Sequence, residues 1–299
     1  MSKKRGLIVA ALTALAFGLY PPSAKMAYRA GANPTFLIIT TTFFRGIALG
    51  LYCLIAKKPV LPVGREWFSY TLVGFIQSVS IFGIIGSLLY LPGPVTITLI
   101  FTHTLMLLLF LAYRGEAVLN KISVVATVCA LFGVSLVVDV WHNLNNLSLV
   151  GISLALLGAV ATASRLYVFG KQLRDSDPET VGARTFLIAF LFTLTLLFFN
   201  TPIGPESSQG QIWVGLCCLS LILGTFAMFH GIALLGSFQF SLMVKLEPAF
   251  TAIFSILIVN EVLSAYQYVG MVLVIASLVI YQCYDKKALA VGIPPAMGE

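Results

Sequence analysis

The sequence of 299 residues carries very little charge. Only 10% of its residues are Asp, Glu, Lys or Arg, whereas 59% are hydrophobic and the mean hydropathy is +0.98. A soluble globular domain has about 25% charged residues. The composition therefore excludes an ordinary soluble domain and indicates an integral membrane protein.

Histidine and cysteine are also scarce, with three and five residues. The cysteines fall inside or at the ends of apolar stretches without metal-ligand spacing, so we interpret them as small packing residues. The sequence therefore predicts no metal site and no cofactor. The net charge of +7 comes from Lys and Arg scattered among apolar runs, a pattern that points to membrane topology rather than nucleic-acid binding.

Ten apolar runs are long enough to cross a bilayer, which takes about 20 helical residues. They lie at 7–30, 34–56, 66–89, 92–113, 119–139, 149–172, 180–199, 211–234, 237–260 and 264–285. The connections between them are short. The sequence therefore predicts an all-α polytopic membrane protein of ten transmembrane helices, without an extramembrane domain.

The distribution of basic residues predicts the orientation of the chain. With a cytoplasmic N-terminus, thirteen of the eighteen Lys and Arg residues lie on the cytoplasmic side, while Lys25 and Arg29 lie on the other. Arg45, Arg165 and Lys245 fall within the spans. The positive-inside rule then places both termini in the cytoplasm of a multi-pass cell-membrane protein, in the inner membrane if the source is a bacterium.

The two halves of the sequence resemble each other at an offset of 145 residues. Segment 89–139 aligns without a gap with segment 234–284, and Glu116 falls opposite Glu261. Each of these glutamates ends one span just before the next begins. Five helices per half is an odd number, so the second half is expected to be inverted relative to the first.

The same alignment sets Thr102 opposite Glu247. It divides the chain into two five-helix inverted repeats, 1–143 and 144–287, followed by a disordered cytoplasmic tail at 288–299. Inverted repeats are typical of secondary transporters, which handle substrate near the membrane midplane.

The chain resembles the drug/metabolite transporter superfamily, specifically its ten-helix EamA-type members. The resemblance covers about residues 7–285 and is carried by the paired segments above together with Phe17-Gly18, Lys25, Arg45, Leu246-Glu247-Pro248, Asn260-Glu261 and Gly270. It implies a membrane exporter or exchanger of small metabolites, amino acids among them. It also implies a central cavity lined by both halves.

Glu247 is the main candidate for a functional group, because a charge at bilayer depth costs about 2.5–3.5 kcal/mol on insertion scales. Lys245 lies about 200° away on a helix, so these two residues are not expected to pair. Two interpretations remain open. Glu247 binds substrate or protons, or it forms a buried ion pair or a bond to backbone freed by Pro248.

Helical spacing sets Met243 and Thr251 on the same stripe as Glu247. The equivalent stripe of the fourth span contains Thr98 and Thr102. We expect both stripes to face a shared substrate cavity.

Arg45 in the second span and Arg165 in the sixth carry planar cations that suit a carboxylate or a phosphate. With Lys245 the spans contain three positive groups and one negative group, which favours an anionic or zwitterionic substrate. The alternative is that Arg45 pairs with Glu247 or backbone carbonyls and that Arg165 snorkels to the membrane surface.

His103 lies mid-span and is a further candidate for substrate binding. Because histidine side chains ordinarily titrate near neutral pH, it is also a second candidate for proton coupling beside Glu247. The alternative is a hydrogen-bonded packing residue. Tyr20 and Gln77 are further candidates for the cavity lining. Pro21-Pro22 are expected to interrupt the first helix.

The sequence favours a secondary transporter, an exporter or exchanger of small polar metabolites such as amino acids or other carboxylates. Alternatives are transport of amine, nucleobase or phosphorylated metabolites, a passive channel, or a membrane enzyme. An enzyme is not expected, because the loops are short and lack clustered His, Asp or Glu. The expected partners are the substrate and membrane lipid, with no nucleic acid, and the protein is expected to be a monomer or dimer.

Overall fold

The computed structural model is a helical bundle, described for residues 2–88, 90–91, 93–116, 121–138, 140, 148–260 and 264–290. Within these residues the α-helices are α1 (Ser2–Arg29), α2 (Pro34–Ile55), α3 (Glu66–Leu88), α4 (Gly93–Phe101), α5 (His103–Tyr113), α6 (Lys121–Val137), α7 (Leu149–Asp175), α8 (Pro178–Thr193), α9 (Ser208–Leu235), α10 (Ser237–Met243), α11 (Glu247–Phe254) and α12 (Ala265–Ala290). The described part of the chain contains no strand, which confirms the all-α prediction.

Seven helical stretches among the described residues are long and apolar enough to cross a membrane. Three shorter apolar helices accompany them, at Thr98–Tyr113, Lys121–Val137 and Ala265–Tyr281. Large apolar side chains remain exposed along the helices, for example Ile55, Phe68 and Val272. Such a surface suits a bundle surrounded by lipid.

Two of the predicted spans run on as helix but contain a local change in hydrogen-bond pattern, which we call a helix break. Thr102 separates α4 from α5, and a turn of 3-10 helix at Val244–Leu246 separates α10 from α11. Pro248 lacks the amide that would bond the Val244 carbonyl in an α-helix, and the Glu247 N–H donates to that carbonyl instead. The break therefore lies before the proline.

The expected interruption of the first helix at Pro21-Pro22 is wrong, because α1 runs without a break through both prolines. Membrane helices tolerate proline where neighbouring helices support the freed backbone. Here α1 packs along α9 and α11. A Cβ at Gly18 would lie only 3.2 Å from the Glu247 carbonyl oxygen of α11, so the two backbones approach closely.

Helix α12 continues to Ala290, so residues 288–290 of the predicted disordered tail are helical. The sequence has neither Gly nor Pro between Gly270 and Gly292, and nothing in that stretch opposes the helix. Residues 291–299 of the tail lie outside the described residues, as does Glu261.

The helices pack in pairs that join the two halves of the chain. Helix α1 packs along α9 and α3 along α7, while α2 packs on α8 and α6 on α12. Helix α11 also contacts α1, just as α4 and α5 contact α7. If each first-half helix is exchanged with the second-half helix at the same place in chain order, the α2–α8 and α6–α12 contacts are unchanged. The α1–α9 and α3–α7 contacts are interchanged, as are the contact of α11 with α1 and that of α5 with α7.

Glycines allow the closest of these helix pairs to form. A Cβ at Gly83 of α3 would lie 2.7 Å from the Gly158 Cα of α7, and a Cβ at Gly270 of α12 would lie 2.6 Å from the Gly133 carbonyl oxygen of α6. Small residues at membrane helix interfaces let the backbones approach in this way. The α3–α7 contact matters for the site, since both helices carry polar residues near it.

Asn33 connects the start of α2 to the 200–206 loop. Its Oδ1 accepts hydrogen bonds from the Phe36 N–H at 2.8 Å and the Ile203 N–H at 3.1 Å, and its Nδ2 donates to the Thr201 carbonyl at 2.8 Å. One side chain therefore caps α2 and holds a loop from the other half of the chain.

We expect Asn33→Ala to destabilise the protein by about 2 kcal/mol, the upper end for loss of a helix cap, because the loop contacts are lost as well. The measurement is the thermal unfolding midpoint of purified protein in detergent. Asn200→Ala, which removes an exposed amide from the same loop, is the control and should stay within about 0.5 kcal/mol. Equal midpoints for the two variants would contradict the role given to Asn33.

Candidate functional site

Arg165 lies in the middle of the bundle on α7 and contacts α3. Its Nη1 donates a hydrogen bond to the Gln77 Oε1, and its guanidinium lies 5.8 Å from the ring centroid of Phe169. The Nε is buried and has no hydrogen-bond partner among the described residues. Arg165 does not snorkel to the surface, since Gln77 holds it at the α3–α7 interface.

Arg45 lies on α2 and is held mainly by its own helix. Its Nε donates to the Thr41 carbonyl at 3.2 Å, and its Nη2 lies 3.4 Å from the Thr42 Oγ1. The guanidinium lies 4.5 Å from the ring centroid of Phe186 on α8. A bond to a backbone carbonyl and an aromatic face are the contacts expected for a cation without a carboxylate.

The two arginines belong to one electrostatic environment. The charge of Arg45 acts on Arg165, while Arg45 and Tyr20 of α1 act on each other. Among the described Asp and Glu residues, none has a carboxylate within 4.0 Å of either guanidinium. Two half-buried cations without an ion-pair partner among the described residues favour binding of an anionic guest.

The breaks in the two interrupted spans meet each other. Lys245, in the 3-10 turn, donates from Nζ to the Phe101 carbonyl at 2.8 Å and lies 4.1 Å from that ring's centroid. Its side chain is 1% exposed. As expected from helical spacing, no ion pair joins Lys245 to Glu247, because Lys245 points toward the end of α4.

His103 takes part in a hydrogen-bond chain beside this contact. Its Nδ1 lies 2.9 Å from the Ile100 carbonyl, which only accepts, so Nδ1 carries the donated proton. Its Nε2 lies 3.2 Å from the Ser241 Oγ, which lies 2.6 Å from the Thr104 Oγ1. Both ring nitrogens are satisfied, which favours the packing interpretation of His103 over proton relay.

Glu247 begins α11 and is half-buried. Its carboxylate makes no hydrogen bond or ion pair with any described residue, although it is close enough to Lys245 to interact electrostatically. Neither Arg45 nor Arg165 is its partner in this structure. The carboxylate is therefore available to bind a proton or a guest.

The remaining predicted site residues lie on the interrupted helices and on α1. The Thr102 Oγ1 donates to the Leu99 carbonyl at 2.6 Å, and Met243 is buried. The half-buried ones are Tyr20, Thr98 and Thr251.

One charged cluster was not predicted from the sequence. Lys58, after α2, forms ion pairs with Asp177 at 3.2 Å and Glu179 at 3.0 Å, and His230 of α9 lies 3.1 Å from Glu179. The hydrogen bonds to Glu179 and Asp177 raise the pKa of Lys58. The signal was weak, since Lys58 and Glu179 are 121 positions apart and each resembles an ordinary loop charge.

A second ion pair lies nearby, between Arg184 of α8 and Glu66 of α3 at 2.8 Å. Arg184 is 3% exposed, although its position in the sequence suggested a surface residue. Both residues line a cavity of about 610 Å³ between the turn that precedes α3 and the turn that joins α7 to α8. Ion pairs between the two halves thus concentrate at this end of the bundle.

Glu116 forms the third charged contact between the halves at this end. The Tyr167 hydroxyl donates to its Oε1 at 2.9 Å, and the Lys171 Nζ and Arg114 Nε lie 3.5 Å and 3.6 Å from the same oxygen. Burial alone would raise the pKa of Glu116, but these donors together hold it below the usual value.

The bundle, with its lipid-facing apolar surface and unpaired cations at depth, is that of a polytopic membrane transport protein. The described residues contain no group of three or more His, Cys, Asp or Glu that could hold a metal ion. The chain belongs to the EamA-like transporter family, whose model matches residues 4–139 and 149–282. It is therefore a multi-pass membrane transporter of the drug/metabolite type, which points away from an enzyme.

A solved structure, described only as "Crystal structure of protein", has a similar fold. The TM-score is 0.75 at 16% sequence identity, with 92% of this chain and 97% of that chain covered. At such low identity the likeness concerns the fold alone. No curated protein gives a significant sequence match to the chain.

We expect Glu116→Gln to lower the free energy of unfolding near neutral pH by about 0.5 kcal/mol, because the cluster is partly exposed. The measurement compares the thermal unfolding midpoints of the variant and the parent protein as the pH is varied. The folded-state pKa lies below the unfolded value of about 4.3, so the carboxylate stabilises the protein above that value. This stability disappears as the pH falls through the folded-state pKa. The two midpoints should therefore converge in acid, and curves that stay parallel down to about pH 3 would contradict the assignment.

Proposed function

We propose that this protein is a secondary transporter that exports or exchanges small polar metabolites bearing a carboxylate, amino acids among them. The observation that carries the proposal is the pair Arg45 and Arg165, half-buried on helices of different halves and without a described carboxylate partner. A carboxylate on the substrate would supply the missing negative charge. Glu247 would match the amino group of a zwitterion.

We further propose that the chain forms ten spans in two inverted repeats and works by alternating access. The exchange symmetry of the helix contacts supports this, since α1 with α9 corresponds to α7 with α3, and α11 with α1 corresponds to the α4–α5 pair with α7. The two interrupted helices also correspond, because Thr102 and Glu247 are 145 positions apart. Interrupted helices at equivalent positions are common at transporter binding sites.

The orientation rests on the charge bias of the sequence. We propose that both termini are cytoplasmic, which puts the Lys58 and Glu116 clusters at the cytoplasmic end of the bundle. The protein would act as a monomer or dimer in the cell membrane.

We propose that Arg45, Arg165 and Glu247 contact the substrate. Gln77 holds Arg165 in place, while Tyr20, Thr98 and Thr102 contribute polar groups to the cavity, with Met243 and Thr251 beside them. Glu247 is the better candidate for proton coupling, since its carboxylate has no described hydrogen bond whereas both ring nitrogens of His103 do.

Counterflow in proteoliposomes tests the proposal. Vesicles preloaded with an amino acid or an organic acid should take up the labelled compound in a saturable manner that preloading stimulates. Competition by organophosphates alone would favour phosphorylated substrates, which the two arginines also suit. A non-saturating current would indicate a channel, and absence of uptake of every carboxylate tested would reject the proposal.

For Arg165→Ala we expect the apparent KM for the transported carboxylate to rise on the order of 10-fold to 100-fold, the value of a hydrogen bond to a charged group. The thermal midpoint should change little, because the variant also removes a costly buried cation. The measurement is the concentration dependence of counterflow.

Arg174→Ala is the matched control for this prediction, because it removes an arginine from the exposed end of the same helix. Its apparent KM should equal that of the parent protein. A KM unchanged by Arg165→Ala would count against substrate contact by Arg165.

For Glu247→Gln we expect the exchange rate to fall at least about 10-fold while the amount of folded protein stays the same, because the carboxylate has no described structural partner to lose. Glu206→Gln, which neutralises an exposed loop carboxylate, serves as the control. Size-exclusion profiles and thermal midpoints report folding. Loss of folded protein, with the rate per folded molecule preserved, would assign Glu247 to the structure instead.

A further inference from the structure

Lys245 is the most deeply buried charged residue among those described, and the proposed substrate site does not use it. It lies in the 3-10 turn between α10 and α11, and its side chain is 1% exposed. Its Nζ donates to the carbonyl of Phe101, the last residue of α4, at 2.8 Å. The contact therefore joins the break in a second-half span to the break in a first-half span.

The chemistry of this contact makes it strong and directional. A hydrogen bond from an ammonium is about twice as strong as one between neutral groups. Among the described residues no carboxylate lies within 4.0 Å of Nζ, so the Phe101 carbonyl and ring are its close partners. Because Lys245 is only 1% exposed, water cannot replace these partners unless the packing opens.

Two further hydrogen bonds cross the same junction. The Thr104 Oγ1 lies 2.6 Å from the Ser241 Oγ, which lies 3.2 Å from the His103 Nε2. Ser241 lies one turn before Lys245, and Thr104 lies one turn after Phe101. The α4–α5 break and the α10–α11 break are thus fixed to each other at several points.

Candidate substrate contacts lie directly beside the junction. Thr102 and His103 follow Phe101 in the chain, and Glu247 follows Lys245 by two residues. Any shift of one break relative to the other changes the distance between these groups. We propose that Lys245 is a positioning residue of the transport site, whose ammonium ties the two helix breaks together and sets the spacing of Thr102 and Glu247.

The role in transport rests on the proposed function, whereas the tether itself does not. Lys245 does not reach the substrate in this structure, since its side chain is almost fully buried and its ammonium is bonded to a backbone carbonyl. It acts through the position of its neighbours.

The first experiment compares Lys245→Met, Lys245→Arg and the parent in counterflow assays. Met keeps much of the length of the side chain but has no donor, so the apparent KM should rise about tenfold, with Vmax within about twofold. Arg keeps a donor and should restore part of the loss. Lys121→Met, which removes an exposed lysine at the start of α6, is the control and should leave KM unchanged.

The second experiment restores the tether without the ammonium. Thr104→Cys and Ser241→Cys are introduced together with Lys245→Met after the five native cysteines are replaced, since the two hydroxyl oxygens are close enough for a disulfide to replace their hydrogen bond. Oxidation should return the apparent KM toward the parent value, and reductant should reverse the effect. A KM that stays high after complete crosslinking would overturn the proposal, because it would mean that Lys245 itself contacts substrate.

A third measurement does not depend on transport. Spin labels at Tyr113, the exposed end of α5, and at Leu257, exposed in the turn after α11, report the distance between the two interrupted spans. Lys245→Met should broaden or shift this distance distribution, and the disulfide should narrow it again. An unchanged distribution would reject the tether even if the parent transports nothing, and a changed one would support it even if the proposed substrate class is wrong.

Discussion

The structure depends on how a cation is stabilised where water is excluded. Three cations lie within the predicted spans, and each is stabilised by uncharged groups and not by a carboxylate. Lys245 binds a backbone carbonyl and an aromatic face, Arg45 does the same on its own helix, and Arg165 binds an amide side chain. Such contacts offset desolvation only in part. The residual cost at Arg45 and Arg165 is what gives an anionic substrate its affinity in the proposed mechanism.

The positions of the spans could be predicted because a bilayer imposes a length and a composition that a sequence shows directly. The helix breaks could not. Pro248 signals a break, but the break lies in the turn before it, where the carbonyl that the proline cannot bond is located. Pro21 and Pro22 carry the same signal and break nothing, because the adjacent helices support α1 there. The outcome is decided by neighbours that are far away in the sequence.

The same limit applies to the site. Helical spacing predicted that Lys245 and Glu247 do not pair, and the structure has no ion pair between them. Arg165 and Gln77 were chosen as candidates by residue type alone, and their side chains form a hydrogen bond. Their pairing could not be derived, since it depends on the close approach of α3 and α7 at Gly83 and Gly158. The Lys58 cluster could not be predicted, because in a hydropathy profile each of its charged residues is indistinguishable from an ordinary loop residue. An ion pair between distant segments leaves no periodic trace in the sequence.

The contacts at the ends of the bundle and the contact at its centre differ in the free energy needed to separate them. Lys58 with Asp177 and Glu116 with Lys171 bind across the halves at one end, where these partly exposed charges can rehydrate when separated, so the two pairs contribute little net stability. At the other end, the loop held by Asn33 is exposed. The junction of Lys245 with Phe101 is shielded from solvent, and separating it would leave a buried ammonium without a partner. A cycle of the proposed alternating-access kind would keep this junction closed while the two ends open in turn, with the junction as its pivot.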